Sequence, residues 1–342
     1  MFIYAEAVSA KRWRHLFDHA STNDAIEQTE DINNRLSSSA LLGFLPTDKS
    51  YNMEVKRIEI TNGSSQTLFT RTNTNVYTGT SSLDVAGERV FNTVEDLADA
   101  GDSYNLLAFK GGRPLGAPIS LPVFPTSDLG VANSVLTAYD TRHDRVICAG
   151  PVSFDSDGYF AGKVVAVDVK NGAVKELVAL PDKKLRSPVT RATIAPNTST
   201  LVLSYDDSEK MYWYFVDIDT GKLTKLANAN MVYLDVDLTR SRVVGFCENP
   251  AAAFKTSSCV LNLKTGVSTF IADLQGLSAF PMAEEVEFAY DAASDSACWM
   301  VSKDGETNEL ACHDFSSGKL LNAAPKVAAG LVGIIFLPTT ST

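Results

Sequence analysis

The chain has 342 residues, with 30 Lys+Arg against 41 Asp+Glu, and a formal net charge of −11 at pH 7. Hydrophobic residues make up 45% and charged residues 21%, which excludes a disordered or fibrous chain. The acidic surplus excludes a phosphate-backbone binder, which needs clustered Lys and Arg. No stretch reaches the roughly 18 apolar residues of a membrane span, so membrane insertion is not expected.

The N-terminal run Met1–Val8 is apolar but interrupted by Glu6. It reads as a buried strand rather than a signal peptide. Residues 9–38 read as a helical insertion or cap within a single domain spanning 1–342. Trp13, Leu16, Phe17 and Ala20 fall on one helical face. Asn23 suits the N-cap of a second, more polar helix. His15 and His19 stand one helical turn apart, but no third zinc ligand is evident.

Beyond residue 40 the helical period disappears and a repeat takes over. A β-rich run enters a turn and leaves through a second run at Gly63, Gly112, Gly172, Gly221, Gly266 and Gly318. These glycines are 49, 60, 49, 45 and 52 residues apart. A strand, a tight turn and a strand make a hairpin. Ahead of most hairpins an apolar run ends in Asp, and another apolar run starts five residues later. Asp84, Asp140, Asp237 and Asp291 hold that position. Asp bonds its own turn backbone, so it suits the first turn residue. The sum is four short strands per 45–60 residues, which is a propeller blade. In the fourth blade the strands are expected at 191–195, 201–205, 212–217 and 223–227.

The C-terminal run Val332–Leu337 resembles an innermost strand whose blade is cut off by the chain end. The missing strands can come from the N-terminal side: 54–60, 66–71 and either 2–7 or 40–46. The prediction is an all-β, six-bladed β-propeller closed by N- and C-terminal strands. Seven blades are the alternative if residues 1–46 hold a further blade. The turn at Val216–Gly221 resembles those of the six- and seven-bladed propeller superfamilies with YVTN-like or lactonase-like blades. The resemblance covers about residues 75–330 and implies the fold, not the function.

Propeller ligands commonly meet the mouth of the central channel, where innermost strands begin. The predicted ligand-binding positions there are Asn75, Asn133, Arg191, Asn230 and Glu285, with Glu284 and Glu287 beside the last. The resemblance to lactonase-like propellers implies a divalent cation such as Ca2+ held by Glu, Asn and Asp. Glu285, Asn133 and Asn230 match it in residue type, and the required Asp is not identifiable. No other cofactor is expected. Loops between second and third strands are acidic, with Glu95, Asp96, Asp99 and Asp102, with Asp155 and Asp157, and with Asp206, Asp207 and Glu209. Such a face repels nucleic acid and attracts cationic ligands or basic partners.

No nucleophile elbow, P-loop or dinucleotide fingerprint is present. His143 and His313 fall at the end of the ring away from the mouth. Trp213 and Trp299 sit in strands and read as core. Cys247 and Cys259, and Cys298 and Cys312, lie on neighbouring strands and are disulfide candidates; reduced core thiols are the alternative. The expected function is a monomeric ligand- or protein-binding propeller, cytoplasmic if the thiols are reduced and secreted if they are paired. The alternative is a small-molecule enzyme, a lactonase-like hydrolase or an isomerase or cyclase, working at the channel mouth.

Overall fold

The computed structural model describes residues 40–47, 52–97, 103–125, 135–157, 159–182, 184–185, 192–206, 211–227, 229–249, 255–275, 288–302, 308–328 and 331–337. The predicted helical insertion at 9–38 and the N-terminal strand at 2–7 lie outside them. The described residues form six antiparallel sheets. The first blade has β1 (Ala40–Thr47), β2 (Asn52–Glu59) and β3 (Ser65–Arg71). The second runs from β4 (Thr74–Asp84) through β5 (Arg89–Asp96) and β6 (Ser103–Lys110). Its outer strand is split into β7 (Arg113–Pro114) and β8 (Ile119–Pro125). The third holds β9 (Leu136–Asp140), β10 (Arg145–Phe154), β11 (Phe160–Asp168) and β12 (Val174–Ala179). The fourth holds β13 (Thr193–Ile194), β14 (Thr200–Asp206), β15 (Met211–Asp217) and β16 (Leu223–Ala227). The fifth holds β17 (Met231–Asp237), β18 (Arg242–Glu248), β19 (Thr256–Leu261) and β20 (Ser268–Asp273). The sixth holds β21 (Phe288–Asp291), β22 (Ser296–Ser302), β23 (Asn308–Asp314) and β24 (Lys326–Val327).

The last strand, β25 (Val332–Phe336), returns to the first blade and pairs antiparallel with β1, Leu41 facing Phe336. Of the two N-terminal candidates for this closing blade, residues 40–47 take the place. Ring closure joins the two ends of the chain through hydrogen bonds and leaves no open inner seam. Among the described residues no helix is long and apolar enough to cross a membrane.

The core is divided into six clusters, and each lies between two neighbouring blades. Middle strands therefore bury both faces. Leu201 and Leu203 point at the third blade while Val202 points at the fifth. This explains why such strands read as continuous apolar runs rather than an alternation. Trp213 and Trp299 are fully buried. The Trp213 indole donates to the Gly266 carbonyl of the next blade at 3.0 Å.

Both turn types follow the residues that specify them. In the first-to-second-strand turn the Asp side chain accepts backbone N–H groups. Asp237 Oδ1 takes those of Thr239 and Arg240, both at 3.1 Å, and Asp84 Oδ1 takes that of Gly87 at 3.1 Å. The residue before the second strand is left-handed at Glu88, Asp144, Ser241 and Asp295. In the third-to-fourth-strand turn, Asp168 and Asp217 cap in the same way, and the glycine closes the turn at positive φ. Each of these six glycines also meets the outer strand of the preceding blade: Gly63 at Lys326, Gly112 at Leu68, Gly172 at Ile119, Gly221 at Leu177, Gly266 at Leu226 and Gly318 at Asp273. A Cβ at Gly221 would stand 2.6 Å from the Leu177 carbonyl oxygen.

Gly221 has φ +74° and a neighbour that cannot move without shifting a strand. Gly111 has φ +57° and open space around it. Gly221→Ala should therefore cost about 3 kcal/mol in urea unfolding, and Gly111→Ala about 1 kcal/mol. Equal losses would show that the close approach between blades contributes nothing.

Candidate functional site

The mouth end of the ring is where innermost strands begin and second strands end. Asn75 opens β4 there, and Asn230 stands just before β17 with its side chain exposed. Asn133, Arg191 and Glu285, with Glu284 and Glu287, lie outside the described residues. Of the five predicted positions the structure describes Asn75 and Asn230.

The surroundings of Asn75 form a compact polar group. In register, Asn75 on β4 and Tyr104 on β6 flank Glu95 on β5. The Tyr77 hydroxyl donates to Glu95 Oε2. Asn75 Nδ2 donates to the Tyr77 hydroxyl at 2.8 Å and reaches Glu95 Oε2 at 3.5 Å. Burial, then the hydrogen bond to Glu95 and its charge, push the Tyr77 phenol well above its ordinary value. Burial followed by the Glu95 charge does the same to Tyr104. Both phenols therefore keep their protons at neutral pH. Next to Glu95, Asp96 is paired with Arg71 at 2.7 Å. Glu95 itself has no Lys or Arg partner among the described residues.

Local backbone shapes this group. The β4–β5 register breaks between Val76 and Ser81, so the four residues 77–80 bulge against Thr93. Bulges re-aim side chains and are common beside sites. Thr93, two residues from Glu95 and on the same face, donates its hydroxyl to the Val135 carbonyl of the third blade. The group therefore lies at the seam between the second and third blades. Asp155, one of the acidic loop residues, accepts the N–H groups of Asp157 and Tyr159 at 3.0 and 2.9 Å. It serves its own turn.

The turn end of the ring is saturated with ion pairs. Arg89 of the second blade bonds Asp84 at 2.8 Å, and reaches Tyr139 and Asp144 of the third at 2.7 and 2.6 Å. Arg242 bonds Asp237 at 2.7 Å, and Arg240 reaches Asp295 of the sixth blade at 3.3 Å. Asp140, His143 and Asp219 lie close enough to share a cation. Their carboxylates are already matched: Arg145 bonds Asp140 at 2.9 Å and Arg142 bonds Asp219 at 3.1 Å. Burial opposes the charge on Asp140, but the bonds from His143 and Arg145 outweigh it and hold its carboxyl below the usual range.

His313 is buried at this same end. It accepts the Trp299 indole N–H on Nδ1 at 3.3 Å, and its Nε2 lies 2.9 Å from the Gln275 carbonyl. These partners fix a neutral ring with its proton on Nε2. The sulfurs of Cys247 and Cys259 are at bonding distance, as are those of Cys298 and Cys312, with Cα separations of 5.9 and 4.1 Å. Cys148 is buried without a partner cysteine, and burial raises its thiol far above the ordinary value.

No family model matches the chain, and no curated protein matches its sequence. Solved structures do match in shape. TolB from Acinetobacter baumannii superposes with a TM-score of 0.56 at 10% identity, covering 88% of this chain and 67% of that one. The periplasmic gluconolactonase PpgL from Pseudomonas aeruginosa superposes with a TM-score of 0.52 at 12% identity, covering 88% and 99%. At these identities the likeness defines the class: a six-bladed β-propeller, lactonase-like and TolB-like in fold alone.

Burial lowers the His313 pKa from 6.5 to about 4. The unfolded chain then takes up that proton first as pH falls. Stability should be complete above pH 6.5 and decline towards pH 4, by about 3 kcal/mol from this group. His313→Gln should flatten that part of the profile in chemical unfolding. An unchanged profile would show that the ring is already charged in the fold.

Proposed function

We propose that the chain is a binding propeller that takes a small molecule or a protein segment at the channel mouth. The observation that supports this reading is the hydrogen-bonded set of Asn75, Tyr77 and Glu95 at the start of β4 and the end of β5. The set orders a carboxylate as an acceptor without a cationic partner among the described residues. A protonated phenol and an amide beside it are recognition groups, and neither is a nucleophile at neutral pH. Asn133, two residues before Val135 in sequence, belongs to the same mouth in this reading, with Arg191, Asn230 and Glu285 as its other ligand contacts.

The enzyme alternative requires a divalent cation on Glu285, Asn133 and Asn230. Two cysteine pairs at bonding distance support disulfides, and with them an oxidising compartment rather than the cytoplasm.

Two measurements test these readings. Metal analysis of the purified protein, with an assay of glucono-1,5-lactone hydrolysis, should find no stoichiometric divalent ion and no turnover above the uncatalysed rate. Turnover lost in Glu285→Gln would replace the binding reading with the hydrolase. A thiol count in denaturant without reductant should give one, from Cys148. A count of five would remove both disulfides and restore the cytoplasmic assignment.

A further inference from the structure

The seam between the second and third blades opens at its outer rim. Phe109 faces Pro114 across the β6–β7 ladder, and Leu106 faces Ile119 across the β6–β8 ladder. Three residue steps on β6 therefore correspond to five on the outer strand, and the surplus is taken up as a bulge within 115–118. At the other five third-to-fourth-strand turns a Cβ on the glycine would stand 1.9–3.0 Å from the outer strand of the blade before it. At Gly172 it would stand 3.4 Å from Ile119. A cleft of about 550 Å³ lies here, walled by the bulge on one side and by the turn at Val169–Gly172 on the other. That volume is in the range of small-molecule pockets. The third-to-fourth-strand turns lie at the end of the ring opposite Asn75 and Glu95, so the cleft is separate from the channel mouth.

The floor of the cleft is apolar. Phe91, Leu106, Ala108, Leu115 and Ile119 of the second blade line it, with Val169 of the third. Leu115 is 47% exposed, so a ligand in the cleft would remove apolar surface from water. The rim presents cations. Register puts Arg89, Lys110 and Arg113 on the same face of the sheet as Phe91 and Ala108, and Lys170 lines the facing wall. The carboxylates beside them are already bound. Asp84 is held by Arg89, and Glu88 lies 3.7 Å from Lys110. Asp168 accepts the N–H groups of Lys170 and Asn171 and the Asn171 side-chain amide. Asp144 Oδ1 accepts from Arg89 and Tyr139 at 2.6 and 2.7 Å. Lys170 is 75% exposed and touches only the other oxygen of Asp144, at 3.2 Å. It can swing to a ligand and leave Asp144 still paired. Arg113 is exposed and has no carboxylate partner among the described residues. An organic cation would find these carboxylates taken, whereas an anion would meet Arg113 and Lys170.

Going beyond the channel-mouth reading, we propose that this rim cleft is a second binding site, for a small molecule that joins an apolar ring or chain to one acidic headgroup. The apolar part lies on Leu115 and the strands beneath it, and the headgroup meets Lys170 and Arg113.

The test is calorimetric titration of the full chain with 2-naphthylacetate, with its neutral isostere 2-naphthylacetamide as the comparison. One saturable equivalent of the acid is expected, with the amide binding about fivefold more weakly. Leu115→Asp, at an exposed position of the cleft, should weaken the acid by about tenfold or more and leave the thermal unfolding transition in place. Leu238→Asp makes the same change at an exposed leucine of the fifth blade and should leave binding as it was. Lys170→Gln and Arg113→Gln should each weaken the acid by about two- to fivefold without altering the amide. No saturable binding, or unchanged binding in Leu115→Asp, would overturn the site. Equal binding of acid and amide would overturn the acidic class. Binding lost in Glu95→Gln but kept in Leu115→Asp would put the probe at the channel mouth, overturning the rim site while the mouth reading stands.

Discussion

The ring depends on the close approach between each third-to-fourth-strand turn and the outer strand of the blade before it. Six glycines make that approach, one per blade, and a side chain at Gly221 would meet a backbone carbonyl. The contact works because the turn needs positive φ at the same residue that must carry no Cβ. One residue type satisfies both demands. With the turns seated, each pair of blades is held at a fixed distance, and the apolar cluster between them can pack fully. The Trp213 bond to Gly266 adds a hydrogen bond across the same seam. The seam between the second and third blades is looser. The outer strand there is split at residues 115–118, and a Cβ at Gly172 would stand 3.4 Å from Ile119. The seam that carries the mouth group is thus also the seam least constrained at its rim.

These turns are why the fold was legible. Asp at the first turn position and Gly at the last act through bonds within five residues, so sequence carries them without knowledge of the rest of the chain. Blade count followed from them. The choice of closing strand did not, because residues 2–7 and 40–46 are both short and apolar, and pairing with β25 is a contact at nearly full chain separation. The fourth blade shows the limit at strand ends. Its innermost strand, expected at 191–195, is a ladder of only Thr193 and Ile194.

The site was less legible, for a different reason. Asn75 was visible as a polar residue at the start of an inner strand. Tyr77 and Tyr104 were not, because an aromatic residue in a strand reads as core, and Tyr104 is indeed buried. What marks them is the acceptor they adjoin, Glu95, which sequence placed in an acidic loop. Register puts it inside a ladder between two residues that are 29 apart in the chain. The second and fifth blades also correspond, since Asp84 and Asp237, Arg89 and Arg242, and Glu95 and Glu248 each stand 153 residues apart. This correspondence was hidden by the shorter blade repeat lying over it.

That correspondence holds at both ends of the ring. At the turn end, Arg89 reaches Asp144 of the next blade, and three blades on Arg242 reaches Asp295 of the next blade at 3.5 Å, with Arg240 beside it. At the mouth end the Asn, Tyr and Glu residues recur in the same order. The two ends differ in how charge is balanced. At the turn end Asp84, Asp140, Asp144, Asp219, Asp237 and Asp295 each meet an arginine within the fold, so their fields are cancelled over one contact distance. Glu95 meets a phenol and an amide, which orient it and cancel nothing. Low-dielectric walls of packed strands on either side concentrate such a field towards the opening rather than dispersing it. Glu95 therefore keeps a charge that no Lys or Arg among the described residues balances.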